Sequence, residues 1–262
     1  MTIARIFFPR KMAAGDRCTL TGEDRQYVAT VLRMRKDERV LLFDGDGCEY
    51  EAVIRGQDQE RVQLEIVRKT TIQNNALQIT LAQSLPKAKK MDFIIEKACE
   101  LGVTRIIPFF SRRSVPHLTP DKTTAKQVRW QKIAREAARK SHSAGIPEVS
   151  EIMNWENMLR SSENSGEERG EKIIFWEEET RTNLKQVLRD KKSEPNRNFF
   201  LIVGPEGGFA REEIELAERM GFTSVSLGRQ ILKVETAALA ILAIIQYERG
   251  IFAPDGHEEG SL

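Results

Sequence analysis

The spacing of apolar and polar positions changes near residue 70 of this chain. Before that point, short apolar-rich runs predict strands at Arg39–Phe43, Glu49–Ile54 and Arg61–Val67. Asp44-Gly45-Asp46-Gly47 lies between the first two and predicts a hairpin turn in which glycine supplies positive φ. Glu23–Leu32 has helical spacing, with Tyr27, Val28, Val31 and Leu32 on one side and Arg33 and Arg35 just beyond. A small barrel capped by one helix accounts for the segment. The polar stretch Thr70–Asn75 predicts a linker. Beyond it the pattern alternates. Strands are predicted at Leu77–Leu85, Arg105–Phe110, Lys172–Trp176, Phe199–Val203 and Ser224–Leu227, and helices at Asp92–Leu101, Lys126–Lys140, Arg211–Met220 and Glu235–Glu248. Gly102 and Gly221 serve as helix stops. Strands that are apolar throughout and alternate with helices predict an α/β domain with a parallel sheet covered on both faces. The division expected is 1–72 and 73–262. Ser161–Glu171, Asp190–Asn198 and the tail from Ala253 are predicted surface loops or loose ends.

Two segments stand out as chemistry. In Phe199–Phe209 a buried strand runs into Gly204-Pro205-Glu206-Gly207-Gly208, where glycines let backbone approach a ligand and Pro205 stiffens the loop. The spacing is not that of a phosphate loop, and Glu206 would repel phosphate, so a ligand with polar nitrogens and positive charge fits better. A tight turn before a helix would ask for the same glycines. In the second segment, Ser226 to Ala237, a strand enters an irregular loop and then a helix with no polar residue from Ala237 to Ile245. Such a helix needs cover on every side, from the domain core or from another subunit.

Composition narrows the function classes. That apolar run is far short of the ~20 residues of a membrane span. The three cysteines are odd in number and match no zinc or redox spacing, which implies a reducing, cytoplasmic setting. Three scattered histidines predict no metal site. The overall net charge of +2 conceals a division. Residues 1–70 carry +1, residues 71–150 carry +8 and residues 151–262 carry −7. A basic middle points to a polyanion site, although solvated lysines would give the same count. Lys87, Lys89 and Lys90 follow one predicted strand, Arg112 and Arg113 follow the next, and Arg129, Lys132, Arg139 and Lys140 share a helix edge. Loops after parallel strands gather on one edge of the sheet, so these groups are expected to converge there.

In chain order, the sequence carries Arg5-Ile6-Phe7-Phe8, Val31-Leu32-Arg33, Leu42-Phe43-Asp44-Gly45, Leu85-Pro86-Lys87, Met91-Asp92 and Lys97 to Val103. It continues with Arg113-Ser114-Val115, Arg129-Trp130, Glu136-Ala137-Ala138, Gly204 to Gly208, and Leu227-Gly228 through Ile231-Leu232 to Glu235-Thr236-Ala237. This series resembles the SPOUT superfamily of trefoil-knotted methyltransferases. Within that superfamily it resembles the RsmE family, which methylates N3 of a uridine in 16S ribosomal RNA of the small subunit. The resemblance implies a PUA-like β-barrel that binds RNA, a knotted methyltransferase domain, and a homodimer acting on ribosomal RNA or the assembled 30S subunit with no metal. It implies S-adenosylmethionine as cofactor, lined by Trp176, Glu177, Gly204, Pro205, Glu206, Gly207, Gly208, Leu227, Gly228, Ile231, Leu232, Thr236 and Ala237. Catalytic roles fall to Glu206 or Glu235 as base and to Arg113, Lys233 or Arg10 in stabilising the uracil anion, with a structural role at the start of the last helix equally open to Glu235. RNA contacts fall to Arg10, Arg33 and Arg35 in the barrel, and to Lys87, Lys90, Arg112, Arg113, Arg129 and Arg139 beyond it. Two departures stand against the family pattern. Lys233 replaces an arginine, which keeps the charge but loses the planar fork, and Arg139-Lys140-Ser141-His142-Ser143 replaces a stretch that usually ends in arginine. The competing readings are a non-catalytic RNA-binding assembly factor of the same fold and a nucleotide-dependent α/β enzyme, which would need a phosphate loop.

Overall fold

The computed structural model describes residues 4–72, 77–114, 119–143, 145–163, 170–190 and 198–249. The predicted linker beyond Ile72, most of the two predicted surface loops (164–169 and 191–197) and the tail from Ala253 lie outside them. Two compact units are present, residues 1–74 with 138–146, and residues 75–137 with 147–262.

The first unit is built on a five-stranded sheet of β1 (Ala4–Phe7), β2 (Arg17–Leu20), β3 (Arg39–Phe43), β4 (Cys48–Gln57) and β5 (Val62–Thr71), in the order β1-β3-β4-β5-β2. The β3–β4 hairpin turns where expected. Gly45 and Gly47 have φ of 84° and 95°, and the Asp44 carboxylate accepts from the Asp46 and Cys48 amides and from the Tyr50 hydroxyl at 2.9–3.0 Å. Burial pushes the Asp44 carboxyl up, but these bonds outweigh it and hold the group below the ordinary carboxylate range. The predicted helix is α1 (Gly22–Gln26) continued by a wider turn over Tyr27–Val31. That extra residue per turn rotates Val31 and Leu32 off the packed stripe, so Val28 is buried while Val31 is 63% exposed. The strands β1 and β2, missing from the sequence reading, are four residues long and each carries an arginine. The second strand of the hairpin runs past its predicted end, and β5 takes in Thr70 and Thr71, which pair with Glu49 and Cys48.

The second unit is a parallel six-stranded sheet of β6 (Gln78–Ser84), β7 (Arg105–Phe109), β8 (Glu148–Val149), β9 (Glu171–Phe175), β10 (Asn198–Val203) and β11 (Thr223–Val225), in the order β11-β9-β10-β6-β7-β8. Side chains alternate between two cores. Phe199, Leu201 and Val203 enter one, with residues of α2 (Lys90–Glu100), α3 (Pro120–Lys140), α5 (Leu184–Asp190) and α7 (Val234–Glu248). Phe200 and Ile202 enter the other, with α4 (Trp155–Ser161) and α6 (Arg211–Arg219). This is the doubly covered sheet that the uninterrupted apolar strands predicted. From β11 at the sheet edge the chain returns past β9 and β10, so that α7 packs on α2 and Gln246 Nε2 donates to Leu101 O at 2.7 Å.

Candidate active site

Strands β11, β9 and β10 are adjacent and parallel, so the segments that follow them emerge at one edge of the sheet. Those segments, Trp176-Glu177, Gly204–Gly208 and Ser226–Lys233, enclose a cavity of about 490 Å³ together with Lys90, Phe175, Val203, Val234 and Ala237. Four of the lining residues are glycines, Gly204, Gly207, Gly208 and Gly228. At Gly208, φ is 65° and a Cβ would collide with the Glu177 carboxylate. At Gly204 a Cβ would sit 3.1 Å from the ring of Phe209, which packs beneath the loop. Glycine at these two positions keeps the loop close to whatever fills the cavity.

Charged groups sit at the rim as a connected set. Lys90 Nζ lies 2.9 Å from Glu206 and 3.3 Å from Glu235, and the Lys87 amide donates to Glu206 at 3.2 Å. One ammonium therefore joins the loop after β10 to the first turn of α7. Burial raises the Glu206 carboxyl, but the bond from Lys90 and two backbone amides bring it below its ordinary value of 4.5. Glu235 is lowered as well, first by its own backbone N–H at the start of α7 and then by Lys90, which overcome burial. The hydrogen bond to Glu206, ahead of that to Glu235, raises Lys90. Arg113 Nη1 donates to Gly207 O at 2.9 Å, bracing the loop from outside. The buried Glu213 carboxylate accepts from the Ala210 and Arg112 amides, both at 2.8 Å, and so fixes the segment after β7 against the loop after β10.

Most of the residues expected at the cofactor line this cavity: Trp176, Glu177, Gly204 through Gly208, Leu227, Gly228, Ile231, Leu232 and Ala237. Thr236 does not, because the first turn of α7 directs it to the exposed side. Of the groups expected to act in catalysis, Glu206 and Lys233 line the cavity, Glu235 meets it through Lys90, and Arg113 reaches it through Gly207. Among the RNA contacts, Arg112 pairs with Glu212 at 3.1 Å and Arg129 with Asp92 at 2.5 Å. Arg10, Arg33, Arg35 and Arg139 belong to the first unit. There Arg33 has φ of 54° and the Arg139 guanidinium lies 4.6 Å from the Tyr27 ring centroid. The sequence reading missed Glu213, whose only signal was its place three residues after Ala210 at a helix start. It also missed Arg229 and Gln230 in the wall; Lys90, expected at the RNA, lines the cavity as the centre of the carboxylate set.

The family model for the RNA methyltransferase domain matches residues 73–246, and that for the RNA methyltransferase PUA domain matches residues 20–67. A ribosomal RNA small subunit methyltransferase E of Bacillus subtilis is 31% identical over 242 residues, covering 90% of this chain and 92% of its own. The chain belongs to the ribosomal RNA small subunit methyltransferase E family. A crystal structure of a methyltransferase E from Neisseria gonorrhoeae, bound to S-adenosylmethionine, superposes with a TM-score of 0.82 at 30% identity, covering 94% of this chain and 98% of that one. A Legionella pneumophila protein in complex with the same cofactor gives 0.82 at 31%, with equal coverage. The fold of this chain is thus the SPOUT fold with a PUA-like β unit before it in sequence, as the resemblance implied.

Among the described residues no group of three or more His, Cys, Asp or Glu side chains is arranged to hold a metal ion, and no helix is long and apolar enough to cross a membrane.

Proposed function

We propose that this protein transfers a methyl group from S-adenosylmethionine to N3 of one uridine in 16S ribosomal RNA, as a homodimer in the cytoplasm. The observation that carries the reading is the cavity at the ends of three adjacent parallel strands, lined by the loops that follow them and edged with carboxylates. The residues fit the cofactor. The Trp176 indole N–H is buried in the wall without a protein acceptor, which leaves a donor for an adenosine nitrogen or oxygen. Glu177 and Glu206 supply negative charge for a sulfonium and an amino group, and Lys233 and Arg229 supply positive charge for a carboxylate. When bound, the cofactor supplies an already activated methyl.

The chain must then place uracil N3 in line, and orientation of that kind lowers a barrier by several kcal/mol. It must also ease the loss of the N3 proton. Glu206 and Glu235 are both held ionised below the ordinary range and both paired with Lys90, which makes each a weak base at neutral pH. Lys233 at the cavity wall and Arg113 beside Gly207 are better placed to favour the imide anion by charge. The unit of residues 1–72 grips RNA near the target, whose base must leave its stack to be reached. The second subunit covers α7 where the chain itself does not, since Ile244 is 42% and Tyr247 73% exposed on that apolar helix. The substrate is either ribosomal RNA or the assembled 30S subunit.

Intact glycines in both loops and two cofactor-bound relatives weigh against a non-catalytic assembly factor. Calorimetric titration of the full chain with S-adenosylmethionine, followed by mass spectrometry of ribosomal RNA from cells lacking the protein, tests the proposal. Binding together with loss of one N3-methyluridine is expected. Absence of heat with an unchanged RNA spectrum would overturn it.

A further inference from the structure

A second groove lies beside the cavity. It measures about 370 Å³ and is lined by Ala88, Lys89, Asp92, Lys122, Ala125, Lys126 and Arg129, between the segment entering α2 and the first half of α3. We infer that this groove binds backbone phosphates of the RNA substrate. The inference rests on the methyltransferase reading for the identity of the polyanion.

The charge balance favours an anion. Four of the seven lining residues are cationic and one is acidic. That acid is already satisfied, because Asp92 accepts from Arg129 Nη2 at 2.5 Å through one oxygen and from Trp130 Nε1 at 3.0 Å through the other. It therefore fixes Arg129 and leaves the lysines without a carboxylate partner among the lining residues. Lys126 is steadied by its ammonium lying 5.4 Å from the centroid of the Trp130 ring, itself buried in the core. Ala88 and Ala125 are small and keep the groove open, and Ala88 takes a left-handed φ of 56° that turns the chain into α2. Lys122 and Lys126 are four residues apart on α3 and share one face, with Arg129 a further turn along.

Position selects RNA over a free small anion. Consecutive residues divide between the two sites, Lys89 lining the groove and Lys90 lining the cofactor cavity. A strand whose base enters the cavity has its neighbouring phosphates one residue away along the same turn. The cluster also lies in residues 71–150, where the +8 excess is concentrated.

The test compares the full chain with the double variant Lys122→Gln/Lys126→Gln, and with Lys122→Arg/Lys126→Arg, using a fluorescent small-subunit ribosomal RNA transcript over a series of salt concentrations. Losing two phosphate contacts should weaken RNA binding about tenfold or more and flatten the slope of log affinity against log salt by about 1.4 to 1.8. S-adenosylmethionine affinity should stay unchanged, and the arginine pair should restore binding. Equal RNA affinity and equal slope in the glutamine variant would overturn the inference. So would protection of Lys89, Lys122 and Lys126 from acetylation by inorganic phosphate but not by the transcript, which would mark a small-anion site. Failure of the underlying reading looks different: the unaltered protein would bind the transcript with the full slope and transfer no methyl to it.

Discussion

At the scale of single residues, the cavity depends on two kinds of constraint, one steric and one electrostatic. Gly208 represents the first. A methyl there meets the Glu177 carboxylate, and alanine is strained at φ 65°. Gly208→Ala should cost about 1–3 kcal/mol of stability and lower S-adenosylmethionine affinity at least about tenfold, read by thermal melting and calorimetry. Adding Glu177→Ala should relieve the collision but not the backbone strain, so recovery should be partial. Lys90 represents the second. Lys90→Met removes the one ammonium shared by Glu206 and Glu235, so cofactor affinity should fall roughly three- to tenfold at low salt and less at high salt. The same pairing sets a pH window. Both carboxyls lie below their ordinary 4.5, so their contribution is complete above that value and is lost as pH falls through their lowered values. Cofactor affinity should be flat between pH 6 and 8 and drop only below 4.5. Methyl transfer should instead climb with pH over that range, as the uracil proton becomes easier to remove; a rate that is flat from pH 6 to 8 would restore a carboxylate base, already ionised throughout.

At the scale of elements, period and punctuation made most of the second unit legible. Strand β10 is apolar on both faces, β6 is buried on both although it carries Thr80, Gln83 and Ser84, and Gly102 and Gly221 stop their helices with φ of 74° and 85°. The glycine-rich loop after β10 could be found for the same reason, because a close backbone approach demands a residue type visible in the sequence, whereas the loop after β11 has one glycine, Gly228, set there by its φ of 109°. What stayed hidden is what has no local signature. The pair β1 and β2 gains its burial from strands distant in sequence, α4 begins at a buried Trp155 after an Asn154 cap, and Glu213 acts through a segment some hundred residues earlier. The cover for α7 was half legible. Its apolar composition required cover on all sides, yet only the structure shows that Val234, Ala238, Ile241 and Ile245 are buried while Ile244 and Tyr247 are exposed. These two are three residues apart and share a face with Ala240 and Ala243. Ile244→Glu should therefore convert a dimer into monomers in sedimentation velocity while leaving the helical circular dichroism signal in place. A monomeric unaltered protein would remove the basis for a second subunit on this face.

At the scale of the whole molecule, the chain passes between its two compact units more than once, because residues 138–146 group with the N-terminal unit although they follow α3 in sequence. The consequence is concentrated at Arg5. This residue is 3% exposed, with its guanidinium 3.7 Å from the Phe43 ring centroid, and it pairs with Glu49 at 2.7 Å. Its two remaining nitrogens donate to Ala138 O at 2.8 Å and Ser143 O at 2.7 Å. Beside them, Ile146 packs 3.1–3.4 Å from where a side chain on Gly45 would begin, and Gly145 bridges Asp46. A fragment ending at residue 74 would keep every strand of the first sheet but leave this buried cation without two of its three acceptors. Each hydrogen bond lost from a charged group costs about 1.5–3 kcal/mol, so losing two takes a large share of what a unit of that size can hold. The fragment should thus be unfolded or molten by amide NMR dispersion, and fusing residues 138–146 to its end through a flexible linker should restore dispersed signals. Arg5→Met with Glu49→Gln in the same short fragment removes the under-bonded guanidinium and its ion-pair partner, and it should recover part of the lost stability if desolvation, rather than the missing packing of Ile146, is the larger cost.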